Sequence, residues 1–275
     1  MIGTLLRHEA IRTRGFLLVI AAAATGLAGL GSLMAMTGWP VIATFGTVIG
    51  FVGALGLVPA IQLAHAVDFW RSGFGRIGYF TQTLPVRGSR IYAAKLVWAA
   101  AVLLLALVAT LVLGFVVMLA SAGSLFGLTA AQMVAQVGET LAAAFEASPW
   151  LVGLGAPLLL VALYAFNTVL LFAAATIGSE RWLQRLGWGG PVLVWFALYA
   201  AAQALMFVLV LAVPFGIGAD GSGGVGVVPV DLIGAMVHDT QLQLMPIGFV
   251  PAILAAIPVL IWASVRSWDH KVSLA

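Results

Sequence analysis

Residues 7–36 read RHEAIRTRGFLLVIAAAATGLAGLGSLMAM, and their reading decides the fold. Arg7, Arg12 and Arg14 precede an apolar run from Phe16 to Met36 that carries no charge. A helix needs roughly 20 such residues to cross about 30 Å of hydrocarbon. The run is longer than the roughly 7–15 residues of a secretory signal core, so it reads as a retained first span. Five further stretches repeat the pattern, at 40–64, 96–120, 151–178, 191–217 and 247–265, all without Asp, Glu, Lys, Arg or His. A composition 63% hydrophobic and 8% charged fits the same class, since soluble domains are only about half apolar and about a quarter charged.

Threading the six stretches through a bilayer puts all twelve Lys and Arg residues on one side. Arg7, Arg12 and Arg14 lead the first span. Arg71, Arg76, Arg87, Arg90 and Lys95 lie between the second and third, Arg181 and Arg185 between the fourth and fifth, and Arg266 and Lys271 after the sixth. The opposite segments hold only the acids Glu139, Glu146, Asp220, Asp231 and Asp239. Cytoplasmic loops retain basic residues, so both termini are expected in the cytoplasm. The basic residues then serve topology and anionic lipid headgroups, and no nucleic-acid partner is expected. The absence of cysteine excludes disulfides, thiolate chemistry and cysteine metal sites. Ten Arg against two Lys, with abundant Ala, Gly and Val, points to a GC-rich bacterial genome and hence a bacterial cytoplasmic (inner) membrane.

The expected fold is an all-α membrane protein of six transmembrane helices, a single bundle over 1–275 without repeat or linker. Residues 1–14 pattern as an amphipathic helix, with Ile2, Leu5, Leu6 and Ile11 on one flank and Arg7, His8, Arg12 and Arg14 toward headgroups. Such a helix lies in the interface plane before the chain turns into span one; an ordinary basic flank is the other reading. On the outer side, Gln132, Gln136, Glu139 and Glu146 recur at helical spacing opposite Met133, Val137, Leu141 and Phe145. This predicts an amphipathic helix over 129–146, N-capped by Thr129 and anchored on the outer leaflet. The last outer loop, 218–246, opens on a flexible glycine run, with a short helical pattern from Asp231 to His238.

Small residues cluster at Gly46, Gly50 and Gly53 in span two and at Ala22, Gly26 and Gly29 in span one, where they allow close helix approach in lipid. Pro59, Pro157 and Pro258 are expected to interrupt spans two, four and six. The spans bury only uncharged polar groups, such as Thr44, Gln62, Asn167 and Gln203, while His65 and Asp68 are expected to face water at the inner edge. Ion-coupled carriers keep an ionisable ligand inside the bundle, and this chain offers none there. No GxxxxGK[ST] occurs, so the chain has no P-loop with which to hydrolyse nucleotide. HExxH and GxSxG are absent too, and no metal site or bound cofactor is expected. Two GxGxxG matches, at Gly73 and Gly221, lack a strand–helix setting and read as turns.

The inner loop 65–95 is the most informative segment. Residues 68–95 read DFWRSGFGRIGYFTQTLPVRGSRIYAAK, in which Tyr79, Phe80 and Leu84 give a short element an apolar side and Pro85 stops it. An apolar element exposed to the cytoplasm needs a protein to cover it. The string GYFTQTLPVRGSRIYAAKL resembles the inner-loop signature of ABC-2-type ABC transporter permeases. Six spans, cytoplasmic termini, a basic lead-in and an enlarged outer segment before span six match that family coarsely. Ahead of the GY element this chain carries Arg76-Ile77, where many members carry acidic residues.

The resemblance implies a transmembrane subunit that pairs with a second permease copy or paralogue and works through separate ATPase subunits, which would hold the ATP and Mg. Gly78, Tyr79, Phe80, Thr81, Gln82, Thr83, Leu84 and Pro85 would form the coupling helix that contacts the ATPase. Glu180, Arg181 and Arg185 would form a second inner contact. Phe51, Gln203 and Phe207 would line a path for a hydrophobic or amphipathic substrate such as a lipid, peptide or drug, moved outward. An ion-coupled or passive carrier and a non-transporting scaffold or sensor are the alternative classes.

Overall fold

The computed structural model describes residues 2–75, 78, 87–219, 225–232, 234 and 244–270. These form seven α-helices: α1 (Ile2–Ala35), α2 (Pro40–Gly73), α3 (Gly88–Phe126), α4 (Ala130–Ala147), α5 (Ala156–Ile177), α6 (Gly189–Ala212) and α7 (Val250–His270). All but α4 are long and apolar enough to cross a membrane, so the all-α membrane class holds. The chain forms two compact units, Met1–Glu139 and Thr140–Ala275, where no linker composition marks a boundary. The divide falls inside α4, a continuous helix without the Pro/Gly-rich composition that flags a junction.

In the first unit α1, α2 and α3 pack on one another. They contain 34, 34 and 39 residues, roughly 50–60 Å of helix, which exceeds the hydrocarbon thickness. Residues 2–14 are the first part of α1, continuous with span one, and not the separate interface helix expected. Here Glu9 bonds to Lys95 of α3 and Arg12 to Asp68 of α2, which ties this segment to the bundle. Gly38, at φ +73°, makes the tight turn into α2, and Pro40 opens that helix where no N–H is needed.

The α1–α2 seam is built on small residues, though not all those expected. A Cβ at Gly46 would fall 2.5 Å from Met34 Cβ, and one at Gly53 would fall 2.7 Å from Leu27 Cβ. On α1 the close residue is Gly31, whose Cβ would strike the backbone of Gly46 and Gly50; Gly26 and Gly29 face open space. Ala24, Ala28 and Ala35 share the buried side with Gly31, whereas Ala22 is exposed. Both faces of α1 carry small residues, so only the packing against α2 selects one.

At the end of α3, Gly127 adopts φ +66° and the Leu128 amide reaches back to the Ala122 carbonyl, closing the helix. Thr129 then caps α4 in a reciprocal box. The Gln132 amide donates to Thr129 Oγ1 at 3.2 Å, and the Thr129 amide donates to Gln132 Oε1 at 2.8 Å.

In the second unit a π-helical turn, Leu151–Gly155, leads into α5. Pro157 stands just past that π-helical turn, in the first turn of α5, so span four departs from regular α-helix next to this proline; Pro59 and Pro258 lie inside α2 and α7. Phe166, Leu170 and Ile253 form the core of α5 and α7, with Trp195 and Leu198 of α6 against it. Span five ends early, at Ala212. Pro214 forces Val213 out of helical geometry, to φ −109° and ψ 93°. The following outer segment is not the loop expected. It is an antiparallel sheet of order β2-β1-β3, with β1 Phe215–Ala219, β2 Val225–Pro229 and β3 Leu244–Pro246. The glycine run 221–224 and most of the helical pattern from Asp231 to His238 lie outside the described residues.

Candidate functional site

The end of the first unit that holds the start of α1 gathers charged side chains from three helices. On α1, Glu9, Arg12 and Thr13 share one face, being three and four residues apart. On α2, His65, Asp68 and Ser72 do the same, and α3 adds Lys95 and Trp98 one turn apart. Lys95 Nζ donates to Glu9 Oε1 and to Ser72 Oγ, both at 2.9 Å. Arg12 grips Asp68 with two parallel bonds, Nη1 to Oδ1 at 2.6 Å and Nη2 to Oδ2 at 2.7 Å. Arg12 Nη2 also donates to Glu9 Oε2.

Hydroxyls close the network. Trp98 Nε1 donates to Thr13 Oγ1 at 2.9 Å, Thr13 Oγ1 to the Glu9 carbonyl at 2.8 Å, and Ser72 Oγ to the Asp68 carbonyl at 2.7 Å. Two cations thus meet two carboxylates, and the cluster is electrically balanced. The Lys95 and Glu9 side chains are only 5% and 11% exposed. Burying such charges costs several kcal/mol each unless they stay paired, which makes their geometry hard to change. Beneath them Phe69 meets Tyr92 and Phe74 edge to face, with centroids 5.9 and 5.8 Å apart.

Several expectations need correction here. Arg12 turns inward to Asp68 instead of toward headgroups, while Arg7, His8 and Arg14 remain exposed. His65 does not face water; it is 5% exposed, edge-on to Phe16 at 5.9 Å. The sequence signal for the cluster was the i, i+3 pair Glu9–Arg12 together with Asp68 and Ser72 on one helical face. It was masked because Arg12 also suits a topology-setting flank.

The network flanks the loop that carries the GYFTQTLP string. Ser72 and Lys95 stand near its two ends, at the close of α2 and the opening of α3. Gly78 is described: its amide donates to the Gly75 carbonyl at 2.8 Å, and a Cβ there would fall 2.5 Å from the Gly73 carbonyl. Tyr79, Phe80, Thr81, Gln82, Thr83, Leu84 and Pro85 lie outside the described residues.

In the second unit Glu180 is not an outward contact. It is 6% exposed, and it accepts from Ser267 Oγ at 2.9 Å and from Trp182 Nε1 at 3.0 Å. Arg181 and Arg185 remain exposed on the same loop, beside the bare rings of Trp182 and Trp188. Of the path candidates, Phe51 is half-buried on α2 of the first unit, whereas Gln203 and Phe207 are exposed one turn apart on α6 of the second. The chain matches no family model, no curated protein and no solved structure.

Proposed function

We propose that this chain is the transmembrane permease subunit of an ATP-driven ABC transporter, exporting a hydrophobic or amphipathic substrate from a bacterial cytoplasm. A separate ATPase would dock on residues 78–85, and closure of two such ATPases would tilt two bundles from inward to outward access. The observation that supports this reading best is the balanced ion-pair network across α1, α2 and α3. It fixes both flanks of the motif-bearing loop to three helices that continue into the membrane, so a push on the loop would move them together. An isolated topology loop has no need of such a footing. Arg181 and Arg185 would add a smaller contact, with Glu180 bracing their loop from within.

The experiment is co-purification of the chain with the ATPase subunit of its own operon. The double variant Tyr79→Asp with Leu84→Asp should insert in the membrane normally and recover no ATPase. Undiminished recovery would overturn the docking assignment.

A further inference from the structure

A groove of about 520 Å³ runs between α1 and α3, with Leu57 and Ile61 of α2 as its floor. It extends from Ala10 to Ala21 on α1 and from Trp98 to Ala109 on α3, about 16 Å along each helix. Ala10, Ala21, Ala106 and Ala109 leave it open between the exposed side chains of Ile11, Leu18 and Leu105, and its walls are almost wholly apolar. Arg14 is the one charged residue that lines it, near the inner end. Arg14 is exposed and makes no ion pair among the described residues, because Asp68 and Glu9 are taken by Arg12 and Lys95.

We infer that this groove is a binding site for an anionic diacyl phospholipid of the inner leaflet. One acyl chain would lie between α1 and α3, with the phosphate on Arg14. Arg14 stands just before the apolar run that starts at Phe16, which is headgroup depth, and the groove runs outward from it into the hydrocarbon. A cation at the polar end of an apolar trough complements a lipid that is anionic at one end and apolar over the rest. A helix from a second copy fits less well, since it would need an acid at the depth of Arg14. Of the four inner-side acids, Glu9, Asp68 and Glu180 are held in internal bonds; Asp269 is exposed, but it stands four residues beyond the last apolar run, whereas Arg14 stands two before the first. The inference rests on membrane placement and not on the ATPase reading, and it is tested on the chain alone.

The test is native mass spectrometry of the purified full chain with phosphatidylglycerol or phosphatidylcholine of matched acyl chains. The chain should retain phosphatidylglycerol over phosphatidylcholine by about fivefold, the ratio that one arginine near an anionic headgroup is worth. Arg14→Gln should bring the two lipids to parity, and Arg14→Lys should keep the preference. Arg90→Gln, exposed but outside the groove, should leave it unchanged. Ala21→Leu with Ala109→Leu should lower retention of both lipids by filling the trough. Parity in the unmodified chain would overturn the assignment, as would a preference indifferent to Arg14→Gln. So would cross-linking of two copies through the groove, which would give it to a second chain instead.

Discussion

Lys95, at the start of α3, donates a 2.9 Å hydrogen bond to Glu9 on α1, 86 residues earlier in the chain, and both side chains are buried. Contacts of such sequence separation order the bundle end as no local pair could. Arg12 and Asp68 complete a neutral group of four, and the loss of Glu9 or Lys95 leaves a net charge on the buried side of it.

Single replacement by Lys95→Met or Glu9→Leu should therefore destabilise the chain by about 3–5 kcal/mol, the usual cost of orphaning one partner of a buried pair. The double variant should cost less than either alone, because neutrality returns and Arg12 keeps Asp68. Thermal unfolding midpoints in one fixed detergent measure this. Additive losses would mean that the two side chains act independently.

The glycines of α1 make opposite predictions from the same substitution. Gly31→Ala sets a methyl against the backbone of Gly46 and Gly50, and overpacking of this kind costs about 1–3 kcal/mol. Gly26→Ala meets nothing within 4 Å and should be neutral or stabilising, since Ala exceeds Gly by up to about 1 kcal/mol in a helix. The comparison uses the same unfolding assay.

Much of this architecture is legible before any coordinates. The six spans depend on length and apolarity alone, and the Thr129 cap follows from a Thr placed just ahead of a helical pattern. What was illegible has physical causes. Glu9, Arg12, Asp68 and Lys95 read singly as flank charges, because nothing local tells a residue that its partner lies two helices away. Gly26 and Gly31 are equally small, and only the partner helix decides which is needed. In β1, glycine alternates with Ile217 over five residues, too few for a period of two to stand out from a turn-like composition. The inward bonds of Glu180 depend on Ser267 from the last helix, which sequence distance conceals.

Glu180 gives a prediction that separates bracing from docking. Ser267→Ala removes a bond to a buried carboxylate, which is worth about 1.5–3 kcal/mol. Arg181→Gln alters only an exposed side chain and should leave stability within about 0.5 kcal/mol of the original. If the proposed ATPase contact is right, Arg181→Gln should instead weaken ATPase recovery in the co-purification assay. A stability loss for Arg181→Gln equal to that for Ser267→Ala would place both residues in the internal brace.

The last prediction concerns the energy source. Coupling transport to a proton or sodium gradient needs an ionisable side chain that the ion can reach and leave from within the bundle. Among the described residues, the buried acidic and basic side chains are Glu9, His65, Lys95 and Glu180. Lys95 and Glu9 bond to each other, and Glu180 bonds to Ser267 and Trp182. To serve as an ion site, Glu9, Lys95 or Glu180 would first have to break a bond that costs several kcal/mol to lose, and His65, packed edge-on to Phe16, would have to take a charge out of contact with water. Sealed vesicles holding the chain alone should therefore accumulate no fluorescent amphiphile when given only a pH or sodium difference. Vesicles that also hold the ATPase subunit should accumulate it when Mg and ATP are added outside, where the nucleotide reaches inside-out complexes. Uphill movement by the chain alone under a gradient would refute the ATP-driven reading, whatever the docking assay shows.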